Sequence, residues 1–175
     1  MIITLENAKF LNPKVTQSWL DGIESAIREL TNNNFQVPAM RVQGLEFYDG
    51  KIVLKKGNIG LKENDTIQVS GSAVNDGVYT IKNVENNALI LDNDIVIARD
   101  EPLSCVTFVR YPSDIKLGVE KLLEYDAKMG HKIGIKSEML SRHSVSYFDQ
   151  NASESIAGYP AALMKFLENH RKLRW

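Results

Sequence analysis

VPAMRVQGLEFYDGKIVLK, residues 37–55, is where the chain changes period. Met40, Val42, Leu45 and Phe47 nearly alternate with polar neighbours, the pattern of a half-buried strand. Gly44 interrupts the alternation and reads as a bulge position. Asp49-Gly50 offers the positive-φ pair of a type I′ hairpin turn, with KIVLK as the returning strand. Further strand candidates follow at TIQVS (66–70), VYTIKNV (78–84), ALILD (88–92), DIVIA (94–98) and LSCVTFVR (103–110), divided by turn clusters such as SAVNDG and ENN. So many short strands close together predict a small all-β unit over residues 37–110, either a sandwich or a barrel.

Helical periodicity lies on both sides. In VTQSWLDGIESAIREL, residues 15–30, Val15, Trp19, Ile23, Ile27 and Leu30 recur at spacings of three and four, while Gln17, Asp21, Glu24 and Arg28 take the other side. That one-sided stripe reads as core. A shorter helix is expected before it, with Thr4 as N-cap and Glu6 in the first turn, and Asn12-Pro13 separates the two. The run TNNN tolerates irregular backbone and ends the second helix. After Tyr111-Pro112, Ser113 is an N-cap candidate, Ile115, Val119, Leu122 and Met129 mark one helical face, and Gly130 can close it. Asp126 lies at the edge of that face and reads as a solvated or locally bonded carboxylate. GIKSEMLSRHSVSYFDQNASESIAGYP, residues 134–160, is a polar connection long enough to suggest function or disorder. Pro160 can open a last helix, AALMKFLENH, with Leu163, Phe166, Leu167 and His170 on one side. Together these readings predict an α+β fold: a small α-helical bundle, residues 1–36 and 111–175, interrupted by an inserted all-β sandwich or barrel-like domain, residues 37–110.

The 175 residues are 43% hydrophobic and 25% charged, enough for one ordinary domain or two small ones. The net charge of −1 exerts no global pull on nucleic acid or anionic membrane, but its distribution is uneven. Between Gly57 and Glu101 there are eight acids and three bases, a local balance of −5. The ending KFLENHRKLRW, residues 165–175, carries four bases against one acid. No basic run followed by an apolar stretch opens the chain, and 18 apolar residues never run together, so neither secretion by that route nor membrane spanning is expected. The single cysteine, Cys105, reads as a small hydrophobe in a strand.

Signals for catalysis are sparse. His131, His143 and His170 are scattered, without the spacing that aims two ligands at one metal. GNIG and GSAVNDG lie in β context with no following helix, unlike a phosphate-binding loop. Ser141-Arg142-His143-Ser144 places hydroxyls beside an imidazole, but adjacency does not supply a nucleophile, a base and an orienting group that meet in space. The expectation is a binding or structural protein, not an enzyme, with no cofactor and no metal.

LENAKFL, then WLDGIESAIRELTNNNFQ, resembles the opening of tailed-phage head–tail connector (adaptor) proteins of siphophages, whose usual pattern is Leu-Glu-x-Ala-Lys, then a helix with Ile-Glu-x-Ala and a Thr/Asn-x-x-Phe exit. The resemblance resumes at YPSDIKLGVEKLLEYDAKMG, continues through SEMLSRHSVSYFDQ and ends at GYPAALMKFLENHRKLRW. It covers both flanks and not the β unit. It implies a homo-oligomeric ring, typically of twelve subunits, in the virion at the head–tail interface after assembly in the bacterial host cytoplasm. Its implied partners are the portal protein, a head-completion, stopper or tail protein, and packaged DNA passing through the ring. In such rings the C-terminal segment reaches the portal or a neighbouring subunit, here through Tyr159, Pro160, Phe166, His170, Arg171, Lys172, Leu173, Arg174 and Trp175. The helical part makes lateral contacts, for which Trp19, Asp114, Lys116, Arg142 and Tyr147 are candidates.

The residue types in HRKLRW suit an interface, since Arg and Trp are enriched where binding energy concentrates. Two other readings stay open. The basic ending could neutralise phosphates while Trp175 stacks on a base. Alternatively, the β unit could recognise a ligand in an unrelated binding module.

Overall fold

The computed structural model describes residues 1–92, 96–129, 137–140, 143–146 and 155–173, the segments 137–140 and 143–146 by their backbone. Its contacts divide the chain into two units, one of Met1 with residues 34–110 and one of residues 2–33 with 111–175.

In the first unit six strands form one antiparallel sheet: β1 (Gln36–Tyr48), β2 (Lys51–Leu54), β3 (Thr66–Ser70), β4 (Gly77–Glu85), β5 (Ala88–Leu91) and β6 (Arg99–Val109). Their order, β1-β2-β5-β4-β3-β6, returns to β1 and closes a barrel. The 13-residue β1 makes closure possible. Its second half pairs with β2 from Leu45↔Leu54 to Tyr48↔Lys51, while its other edge pairs with β6 from Gln36↔Val109 to Phe47↔Arg99. A closed sheet leaves no unpaired edge, which excludes the sandwich. Inside lie Leu45, Phe47, Ile52, Leu54, Ile67 and Ile81, with Leu89 and Val106, all at 0–1% exposure. Burying each such side chain stabilises the fold by about 1.5–3 kcal/mol.

Two local expectations change. At the β1–β2 turn only Gly50 has positive φ, at 66°, so the turn is not the type I′ form; a type II turn needs left-handed backbone only at its second central residue. DIVIA is not a strand over its described part, residues 96–98. There the buried Asn75 amide occupies Ile97 from the side, accepting from its N–H at 2.8 Å and donating to its carbonyl at 2.9 Å. A side chain thus takes the hydrogen bonds a neighbouring strand would have taken.

The second unit holds α1 (Leu5–Leu11), α2 (Gln17–Thr31), α3 (Ser113–Met129) and the single turn α4 (Ala161–Met164), which continues as a 3-10 helix, Lys165–His170. It also contains β7 (Ser137–Leu140) paired with β8 (His143–Ser146), and β9 (Ser155–Ile156) paired with β10 (Tyr159–Pro160). Apart from the turn at 157–158, the polar stretch is paired wherever it is described. Thr4 and Thr16 cap α1 and α2, their hydroxyls accepting from Asn7 N–H and Trp19 N–H.

The expected helical bundle interrupted by a β domain is corrected. The described residues form four helices and a closed six-stranded antiparallel barrel, a mixed α+β protein whose core is dominated by strands. A helical bundle is not clearly shown among the described residues. α1 packs on α3, whereas α2 and α3 are each met by the terminal 3-10 helix. That helix replaces the long last α-helix expected from 161. Its period of three residues per turn lines up Met164, Leu167 and His170, and the first two are buried at 2% and 5%. The same tightening lays the Phe166 ring on Gly118 of α3, where an added Cβ would stand 2.5 Å from ring atoms.

Two substitutions test these packings. Phe47→Ala should lower stability to urea by about 3–5 kcal/mol. Gly118→Ala should destabilise the parent chain. In a Phe166→Ala background the same change should instead stabilise by about 1 kcal/mol, the helix-propensity gain of alanine over glycine. An effect of the same sign in both backgrounds would remove the ring as the reason for the glycine.

Candidate functional site

A helix leaves its last carbonyls without partners and carries partial negative charge at its C-terminus. α2 ends at Asn32, in left-handed backbone at φ 47°, whose N–H reaches back to the Arg28 and Glu29 carbonyls. Two further carbonyls are taken by the C-terminal segment. Lys172 N–H donates to Thr31 O at 2.8 Å, and Arg171 Nε donates to Leu30 O at 3.3 Å. The asparagines after the helix answer in the other direction: Asn33 Nδ2 donates to His170 O and Asn32 Nδ2 to Leu173 O, each at 3.2 Å. A cation at this helix end also meets the favourable pole of the dipole, worth about 0.3–1 kcal/mol at the surface.

One residue earlier, His170 meets the start of α3. Its Nε2 lies 2.6 Å from Asp114 Oδ2. The hydrogen bond from His170 holds the Asp114 carboxyl below the ordinary carboxylate range. Asp114 was expected at a subunit interface and His170 at the portal or a neighbouring subunit; the fold brings the two together within one chain. Arg171, Lys172 and Leu173 themselves are exposed, Leu173 at 73%.

A second cluster joins α2, α3 and β10. Tyr159 donates its hydroxyl proton to Asp126 Oδ2 at 2.7 Å, and the Trp19 side chain hydrogen-bonds the same phenol. Tyr125 stands edge-on to Tyr159, with ring centroids 6.1 Å apart. Burial, then the bond to Asp126, pushes the Tyr159 phenol well above its ordinary range. The cluster fastens the turn at 155–160 to the helices. Beneath it, Tyr111 donates to Glu24 at 2.9 Å in a buried contact.

Of the other expected residues, Pro160 is buried at the start of α4, and Phe166 is half-buried against Gly118. Lys116 is exposed, with no side-chain partner among the described residues. Arg142, Tyr147, Arg174 and Trp175 lie outside the described residues. Asp126 was read only as an edge carboxylate, and its partner Tyr159 was unforeseen because 33 residues separate them. No group of three or more His, Cys, Asp or Glu side chains comes together as a metal site among the described residues. Among the same residues, no helix is long and apolar enough to cross a membrane.

The Asp114–His170 contact sets a pH dependence. A carboxyl whose pKa is depressed on folding contributes stability above its unfolded pKa of about 3.9 and loses it as pH falls through the folded value. Because Asp114 is about half exposed, at 49%, the contribution belongs to the range of surface pairs, roughly 0–1 kcal/mol. The Asp114 carboxyl, followed by NMR, should titrate below about 3.9 in the parent and move up toward that value in His170→Ala. An unmoved midpoint would separate the two residues.

In comparisons with known proteins, no family model and no curated sequence matches the chain.

Proposed function

We propose that the chain is a structural head–tail connector of a tailed phage or prophage, forming a ring that docks on the portal and links the DNA-filled head to the stopper or tail. The observation that carries this reading is how the segment Arg171–Leu173 is held. Its hydrogen bonds run to the end of α2, one of them from the Arg171 side chain, next to a half-exposed ion pair, and all three residues are exposed. Neutral hydrogen bonds contribute about 0.5–1.5 kcal/mol each, and surface ion pairs less. A segment of exposed residues held by hydrogen bonds can be exchanged for a partner's surface at modest cost. Arg171, Lys172 and Leu173 then present cations beside an apolar side chain, the combination that serves an interface anchor.

The resemblance of the flanking segments to connector proteins supports the same reading, because WLDGIESAIRELTNNNFQ, YPSDIKLGVEKLLEYDAKMG and GYPAALMKFLENHRKLRW occur in the family's order. In this reading twelve copies surround the axis through which packaged DNA passes. The protein works in the virion at the head–tail interface, after assembly in the bacterial cytoplasm. Its chemistry is recognition, with no catalytic step and no cofactor.

Deleting residues 171–175 is expected to leave the circular dichroism spectrum unchanged and to abolish capture by portal rings encoded in the same genome. Undiminished capture by the shortened chain would overturn the assignment of this segment.

A further inference from the structure

The barrel unit carries a groove lined by its own residues. Between Gln43↔Cys105 and Leu45↔Glu101, β1 supplies one residue, Gly44, where β6 supplies three. The surplus bulges outward. Ser104, fully buried, donates its hydroxyl to Glu101 O at 2.7 Å across the base of the bulge. Gly44, at φ +89°, provides the left-handed backbone opposite it. Bulges commonly re-aim a side chain, and this one turns Leu103 outward to 79% exposure.

Leu103 and Ile59, the latter 41% exposed, are apolar walls of a groove of about 570 Å³ that is open to solvent. Arg41 and Lys56 also line it. Arg41 directs Nε and Nη2 at the Cys105 sulfur, at 3.1 and 2.8 Å, while Ser70 Oγ lies 3.2 Å from the same atom. A guanidinium fork matches a carboxylate, and sulfur is a weak acceptor, so the strongest donor here rests on a poor partner. Lys56 has no side-chain partner among the described residues.

Two cations and two apolar side chains in one groove define a ligand with a carboxylate beside apolar groups. The rest of the unit is acidic, with its balance of −5 over 57–101, and repels a polyanion such as nucleic acid. A single carboxylate held at short range by Arg41 and Lys56 escapes that penalty when apolar contact accompanies it. An open groove suits a chain laid across it more than an enclosed small molecule.

We propose that this groove binds an extended segment of a partner protein, in which an acidic side chain engages Arg41 and Lys56 and its apolar neighbours cover Leu103 and Ile59. The proposal holds or fails independently of portal docking, which uses residues of the other unit.

The test is titration of the full ¹⁵N-labelled chain with the blocked peptide acetyl-Ala-Leu-Glu-Leu-Ser-amide. Amides at Gln43, Lys56 and Leu103 should shift saturably. Replacing Glu by Gln in the peptide, or making Arg41→Leu in the protein, should weaken binding roughly tenfold or more. Leu103→Ser should weaken it as well. These side chains are exposed, and unchanged dispersion elsewhere in the spectrum verifies the fold of each variant. Equal binding of the Glu and Gln peptides, absence of shifts at the highest soluble concentration, or shifts confined to other residues would overturn the proposal. So would octanoate shifting the same amides where the peptide does not, since the groove would then take a free apolar acid.

Discussion

Pairing between β1 and β6 is the interaction on which the rest of the barrel depends. It joins the first and last strands of the sheet, removing both edges at once and enclosing Leu45, Phe47, Ile67 and Val106. It also determines where the chain enters and leaves. Gln36 stands opposite Val109, and Arg110 N–H donates to Phe35 O at 2.9 Å, so the two ends of the barrel segment lie side by side. Residues 34–110 can therefore form one contact unit although the sequence on both sides of them belongs to the other. The same seam carries the three-against-one bulge at Gly44, so the register that closes the barrel also shapes the groove around Leu103.

In the other unit the ordering principle is the unfinished helix end. α2 stops in a run of asparagines, and the C-terminal segment completes it by offering Lys172 N–H and Arg171 Nε to its last carbonyls. The 3-10 geometry just before brings His170 onto Asp114 in the first turn of α3. Two helix ends of opposite polarity are thus tied by one short segment, and nearly all of that tie is polar. This supports a function in recognition: the apolar contacts at Met164 and Leu167 anchor the segment, while the exposed residues after His170 are tied to the end of α2 by hydrogen bonds.

What could be read from the sequence follows from how far apart the deciding contacts lie. The cap at Thr4 and the alternating strands rest on neighbours within a few residues, and the residues themselves declare them. An irregularity at Gly44 was visible because a glycine breaks an alternating run, but that the surplus residues belong to β6 opposite it, and that Leu103 is exposed, was not, since both depend on pairing with β6. Over its described part, residues 96–98, DIVIA is not a strand because Asn75, 22 residues away, takes the Ile97 backbone. The last helix and the bundle failed for a related reason. Helical periodicity suggested the face Leu163, Phe166, Leu167 and His170, whereas contact with Gly118 and Asp114 favours the tighter 3-10 path. Among the candidate site residues, the types were legible and the juxtapositions were not. Nothing local links Tyr159 to Asp126 or His170 to Asp114.

The connector assignment is tested most directly by electron microscopy of the full chain mixed with portal rings from its own genome. The account expects added density on one face of the portal, repeated about the ring axis with one copy of this chain per position. Bare portal rings beside unassociated chains, at concentrations where both are folded, would contradict it.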